Sequence, residues 1–214
     1  GGKAEAKPVY DYAMVDEDYM LAPVLARYLG DRREGLANVR VLLARETAAG
    51  ERYGDALMRN LRLVLASAEA FAAEPVPGNL IAIEDGMRVG EWRDSQEGLG
   101  DGRFAYSVNA VLVPAALEAT VTLDEAGVLA PYAAAGELAP ARERAAVWAA
   151  SAPVLFDVTI PADRARAEIV AYAAKQGVPA NEALAVVDAN GMRFPALSLG
   201  AAGRPVPVVQ SDPG

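Results

Sequence analysis

A mainly α-helical fold, built from helical hairpins and followed near the C-terminus by a small α+β segment, is what this sequence predicts. Three observations lead there. Leu57, Leu61, Val64, Leu65, Ala68 and Phe71 recur at a 3.6-residue period between Asp55 and Ala73. Apolar, Ala-rich segments lie on both sides of one polar stretch, Val89–Asn109. After Ala152 the texture changes to short alternating runs separated by turn signals.

In chain order, residues 1–9, beginning GGKAEAKP, read as a linker or processed end. From Tyr10 to Gly30, YDYAMVDEDYMLAPVLARYLG, Asp16 and Asp18 are plausible caps for a helix carrying Leu21, Val24, Leu25, Tyr28 and Leu29. Pro23 starts or kinks that helix and Gly30 stops it. A second helix is expected over Leu36–Glu46 with Val39, Leu42 and Leu43 buried. The third, Asp55–Ala73, ends at Glu74-Pro75. Two antiparallel helices joined by a short connection form a helical hairpin.

Asn79–Ile83 looks extended and Asp85-Gly86 signals a turn. Beyond the polar stretch, Ser107 is a candidate cap for an apolar helix over Val108–Ala119, which Pro114 should bend, and an Ala/Glu/Arg-rich helix is expected over Leu138–Ala150. These elements make residues 10–150 one helical domain. In residues 151–214, Val154–Ile160 alternates like a strand, and Pro161–Gln176 is an amphipathic helix closed by Gly177. Ala185–Asp188, Met192–Leu199 and Val206–Gln210 are further strand candidates, with Asn190-Gly191 a hairpin signal. The chain ends in the turn-like SDPG just after a strand, which suggests a piece of a longer polypeptide.

Composition narrows the chemistry. The 214 residues carry a net charge of −9, with 53% hydrophobic and 23% charged residues. That profile is globular, and it argues against non-specific nucleic-acid binding, which needs a basic surface. No apolar run reaches the ~18–20 residues of a membrane helix. The absence of Cys excludes disulfides, thiolate metal sites and Cys nucleophiles, and leaves the cellular compartment open. The absence of His removes the Ser-His-Asp triad and the HExxH zinc site. Carboxylates must therefore carry any catalysis, helped by Arg, Tyr or a bound metal.

The stretch Val89–Asn109, VGEWRDSQEGLGDGRFAYSVN, concentrates Glu91, Asp94, Glu97 and Asp101 with Trp92, Arg93 and Arg103. Loops held by a rigid scaffold commonly carry binding and catalytic groups. A long solvated connection is the alternative. Asp94 stands out as a candidate general acid, because burial beside Trp92 would disfavour its charged form, while Arg93 would act in the opposite direction. Otherwise Asp94 and Ser95 bond only the loop's own amides. Trp92 is a candidate sugar platform, whereas Phe104 is expected in the core. Gly98, Gly100 and Gly102 lack the spacing of a dinucleotide fingerprint and more simply permit sharp turns or close approach. Asp94, Glu97 and Asp101 could ligate Ca²⁺, but D-S-Q-E-G does not match an EF-hand loop. Asp11, Asp16 and Asp18 form a second acidic cluster, which capping would also explain.

The run VGEWRDSQEGLGDGRFAYSVNAVLVPAAL, together with YDYAMVDEDYMLAPVLARYL, resembles the six-hairpin glycosidases, the (α/α)6-toroid group that includes glucoamylases, trehalases and glycogen-debranching-like enzymes. The resemblance is strongest over Tyr10–Leu117. It implies a partial toroid of helical hairpins and cleavage of a glycosidic bond, typically with inversion. It also implies that Asp94 is the general acid, that Glu91, Trp92 and Arg93 line a sugar subsite, and that Asn109 braces the loop. Asp16 and Asp18 would add substrate contacts. The partner implied is a carbohydrate substrate, and no cofactor is implied. The base would come from later in the chain, where Asp212 is a candidate cavity residue only. A full toroid has twelve helices, about twice the number expected here. The alternative is a carbohydrate-binding or assembly module that kept the cavity without the chemistry.

Overall fold

A computed structural model describes residues 14–31, 34–87, 90–92, 98–206 and 208–209. Among them are seven α-helices and four short strands: α1 (Leu21–Asp31), α2 (Gly35–Ala44), α3 (Tyr53–Ala73), β1 (Phe104–Ala105), α4 (Val113–Glu125), α5 (Pro140–Leu155), β2 (Asp157–Ile160), α6 (Ala162–Gln176), α7 (Asn181–Ala185), β3 (Met192–Pro195) and β4 (Ser198–Leu199). The molecule is mainly helical, with two small antiparallel two-stranded sheets, β1–β4 and β2–β3.

The core follows the strongest periodic pattern in the chain. Leu57, Leu61, Val64, Leu65, Ala68 and Phe71 of α3 are all buried, together with Met58. Opposite them, Ala141, Ala145, Trp148 and Ala152 of α5 repeat at three- and four-residue intervals and are also buried. Small residues there let the helices approach, and one large residue fills the gap. The Trp148 indole N–H donates to the Ala68 carbonyl at 2.9 Å, and its ring lies 4.4 Å from that of Phe71. The Arg144 Nη1 donates to the Leu65 carbonyl at 2.6 Å, a second link between the same helices.

On α1 the apolar residues divide between core and surface. Ala22 is buried and Leu25 and Leu29 pack against the core, but Leu21, Val24 and Tyr28 are exposed. The helix is apolar on more than one side, so periodicity marks a stripe without saying which part faces inward. Leu42 of α2 is exposed too, leaving Val39 and Leu43 to anchor that helix. Gly30 lies inside α1, one residue before its end.

The expected helix over Val108–Ala119 begins as a π-helix, Ser107–Leu112, and continues as α4. The Val113 N–H reaches back to the Val108 carbonyl, five residues earlier. Pro114 follows at once and has no N–H to give, so the helix passes from one register to the other where a donor is missing anyway.

Toward the C-terminus, α6 ends as expected at Gly177, whose φ of 67° closes the helix in the left-handed conformation. Of Ala185–Asp188, expected to be extended, Ala185 ends α7 and Asp188 forms a bridge with Gly191. Asp188–Gly191 turns the chain into β3, which pairs with β2 across the intervening α6 and α7. Met192–Leu199 is divided into β3 and β4. The second of these leaves the β2–β3 sheet and pairs with β1, in the register Phe104↔Leu199 and Ala105↔Ser198. Leu197 and Leu199 are part of the helical core, and α5 continues to Leu155. Residues on both sides of position 150 therefore contribute to one packed interior.

Two measurements probe this packing. Trp148→Ala removes a fully buried ring and its hydrogen bond, and should cost ~3–5 kcal/mol in urea unfolding. At the surface, the Arg62 guanidinium and then the Ala134 N–H hold the Glu137 carboxyl below its ordinary value near 4.5. The stabilisation from Glu137 is present above that value and is lost as pH falls through the lowered one. Glu137→Gln should therefore flatten the acid side of a plot of urea midpoint against pH.

Candidate functional site

Three segments meet around the polar stretch: the N-terminal turn, residues 90–92 and the π-helix. The Val15 N–H donates to the Gly90 carbonyl at 2.7 Å, and the Trp92 N–H donates to Asp16 Oδ2 at 3.0 Å. Asp16 was expected to cap a helix. It does stand at the N-cap of a 3-10 turn, Glu17–Tyr19, but its side chain makes no cap hydrogen bond there. Its carboxylate instead holds a backbone N–H 76 residues away in sequence. Asp16 is only 3% exposed, and its Oδ1 is buried with no hydrogen-bond partner among the described residues. An unsatisfied buried oxygen costs roughly 1–3 kcal/mol. The arrangement is a poor one for stability.

Glu91, next to the tethered amide, is fully buried. The Ser107 hydroxyl donates to its Oε2 at 3.2 Å, so Ser107 serves a carboxylate on another segment rather than capping the helix behind it. Trp92 turns outward and is 54% exposed. Asp18 is half-buried, and burial raises its carboxyl above the ordinary value. The Asn60 Nδ2 donates to the Asp18 carbonyl at 2.8 Å, and the Tyr19 hydroxyl donates to Ser67 Oγ at 2.9 Å, so the turn is fastened to α3.

Asn109 lies on the π-helix and is fully buried. Its Oδ1 accepts from the Ile81 N–H at 2.8 Å, and its Nδ2 donates to the carbonyls of Ile81 and Ala105, both at 2.9 Å. The carboxamide thus pairs with both polar groups of Ile81, much as a neighbouring strand would. Both donors and one of the two acceptor directions of the side chain are spent inside the protein. The segment that Asn109 braces is residues 80–83, which were read as extended and lie alongside without forming a regular strand.

The far end of the polar stretch is held separately. Leu99–Gly102 is a tight turn closed by the Gly102 N–H on the Leu99 carbonyl at 2.9 Å, with positive φ at both Gly100 and Asp101. A Cβ on Gly102 would stand 1.9 Å from Ser198 Oγ, so only glycine fits against β4 there. Phe104 is buried, as expected. The Arg103 N–H donates to the Leu199 carbonyl at 2.6 Å, and the Ile83 N–H to the Arg103 carbonyl at 2.9 Å.

The structure thus joins Asp16 to Trp92, and Glu91 to the π-helix that also carries Asn109. Asp18 stands on the same turn as Asp16. The expectations for Asp11, Arg93, Asp94, Glu97 and Asp212 lie outside the described residues, and with them the acid and calcium roles given to Asp94. Sequence reasoning passed over Ser107 as a partner for Glu91 and the π-helical register. Pro114 was the available signal for the latter.

Asn109 offers a direct test of the brace. Asn109→Ala should cost ~2–4 kcal/mol, since it orphans the half-buried N–H and carbonyl of Ile81 and the buried Ala105 carbonyl. Asn109→Asp keeps an acceptor for the Ile81 N–H but sets a charge against two carbonyls. That carboxyl would have a raised pKa in the folded state, so the variant should lose stability as pH rises and regain it in acid, measured by urea midpoints across pH. Compared with protein-family models, curated proteins and solved structures, the chain finds no match.

Proposed function

We propose that the chain acts on carbohydrate as the helical part of a glycoside-hydrolase-type (α/α) toroid, with Asp94 as the proton donor. The observation that carries the reading is an exposed indole, Trp92, whose backbone is pinned by one buried carboxylate, Asp16, and which directly follows another, Glu91. An aromatic face at the surface stacks on the C–H face of a sugar ring, and carboxylates accept hydrogen bonds from its hydroxyls. Burying two acidic residues beside it costs stability that a purely structural loop has no need to give up. The resemblance of residues 89–117 to six-hairpin glycosidases supports the same reading.

In this chemistry Asp94 donates its proton to the glycosidic oxygen as the bond from the anomeric carbon to that oxygen breaks. Water adds to the anomeric carbon from the opposite face and gives its proton to a second carboxylate, for which inversion requires a separation of ~6.5–9.5 Å from the first. Asp16 and Asn109 act by holding the segments at either end of residues 90–109.

Release of reducing sugar from a panel of α- and β-glycosides tests the reading. Asp94→Asn should lower kcat by about 10²–10⁴-fold. Trp92→Ala should act chiefly on KM. Release that survives Asp94→Asn would remove that residue from the role of acid. Sugar binding by calorimetry without any release would leave a non-catalytic carbohydrate-binding module, and neither binding nor release would overturn the proposal.

A further inference from the structure

Away from the polar stretch, α4 and α5 leave a hollow of about 350 Å³ between them. Glu118, Val121 and Glu125 line it from α4, and Arg142, Ala145 and Ala146 line it from α5. Residues three, four and seven apart share one helix face, and the two alanines stand where longer side chains would fill the groove. Ala145 is buried and Val121 half-buried, so the floor is apolar. At one end the Arg142 Nη2 donates to Glu125 Oε1. Glu118 stands two helical turns away, about 10 Å along α4 at 1.5 Å per residue. Its carboxylate has no hydrogen bond or ion pair among the described residues. Thr122, on the same face, spends its hydroxyl proton on the Glu118 carbonyl at 3.1 Å.

We propose that this hollow binds a small organic cation, an ammonium group carried on one apolar ring. The wall holds two carboxylates and one guanidinium, and Glu125 already answers the guanidinium. The charge left over is the negative one on Glu118. An ammonium brings up to three N–H donors to that carboxylate, while its apolar body covers Val121, Ala145 and Ala146. An anion would meet Glu118 and Glu125 together on a chain of net charge −9. A neutral apolar molecule would gain the burial alone. The volume falls at the lower end of the ~300–1,000 Å³ of small-molecule sites, the scale of a ring with a short tail. Both walls are regular helix, so the groups are in place before a ligand arrives and lose little freedom on binding it. No residue of the hollow belongs to residues 89–109, and the inference stands apart from the carbohydrate reading.

Three probes of one shape test it at neutral pH: phenethylammonium, the neutral 2-phenylethanol and the anionic 3-phenylpropionate. Each is titrated into the ¹³C-labelled chain while the methyl resonances of Val121 and Ala146 are followed. Saturable shifts with phenethylammonium are expected, with an affinity about fivefold above that of the alcohol, as one exposed ion pair of ~1 kcal/mol gives. The carboxylate should bind most weakly. Glu118→Gln should abolish the preference for the ammonium, and Ala146→Leu should abolish saturation by filling the hollow. Both positions are exposed and both new residues favour helix, so the variants keep the fold. An alcohol that binds as tightly as the ammonium overturns the proposal, as does a preference that survives Glu118→Gln. Shifts that never saturate, that spare Val121 and Ala146, or that persist unchanged in Ala146→Leu overturn it too.

Discussion

The pairing of Asn109 with Ile81 is the constraint on which the architecture around the polar stretch depends. A carboxamide can present one acceptor and two donors in a plane, and so can stand in for a strand edge. Asn109 does this from the π-helix, satisfying both polar groups of Ile81. That fixes residues 80–83, which in turn pair with Arg103 through the Ile83 N–H; Arg103 pairs with Leu199. A single side chain thus starts a chain of backbone hydrogen bonds running from the helical body to β4. The π-helical register carries Asn109 and Ser107 together, the one satisfying Ile81 and the other Glu91.

What was legible in the sequence was what local chemistry determines. The buried face of α3 followed from a 3.6-residue period, and the end of α6 from a glycine able to adopt positive φ. Pro114, read only as a bend, stands where the π-helical register gives way to α4, and its missing N–H is a local fact. The readings that differed concerned choices made at long range. Asp16 has the chemistry of a cap, but a carboxylate accepts from any N–H, and the one it takes belongs to Trp92. Ser107 likewise exchanged a capping role for Glu91. On α1, apolar residues on several sides gave no indication that Val24 and Tyr28 would be exposed. The pairing of β4 with β1, which sets Phe104 against the sequence-distant Leu199, has no short-range signature, since either strand spans only two residues.

Energetically the candidate site is the reverse of the core. The α3–α5 interface gains from buried apolar surface and from a tryptophan whose N–H is satisfied. Around residues 90–92 the chain instead buries Asp16 and Glu91 and leaves a large indole in water. One Asp16 oxygen has a backbone partner and the other has none among the described residues. Local arrangements that cost stability persist where surrounding structure holds them in place, and here the holding groups are identifiable. Val15 bonds Gly90, Asn60 bonds the Asp18 carbonyl, and Tyr19 bonds Ser67.

The two ends of the polar stretch are consequently anchored to different parts of the fold. Gly90–Trp92 is tied to the N-terminal turn and so, through Asn60 and Ser67, to α3. Leu99–Ala105 is tied to β4 and to Ile83, and so to the π-helix through Asn109. The two routes also meet, because Ser107 links Glu91 to the same π-helix from which Asn109 holds Ile81. The flank with the exposed indole and the flank with Arg103 therefore share the π-helix as a common support.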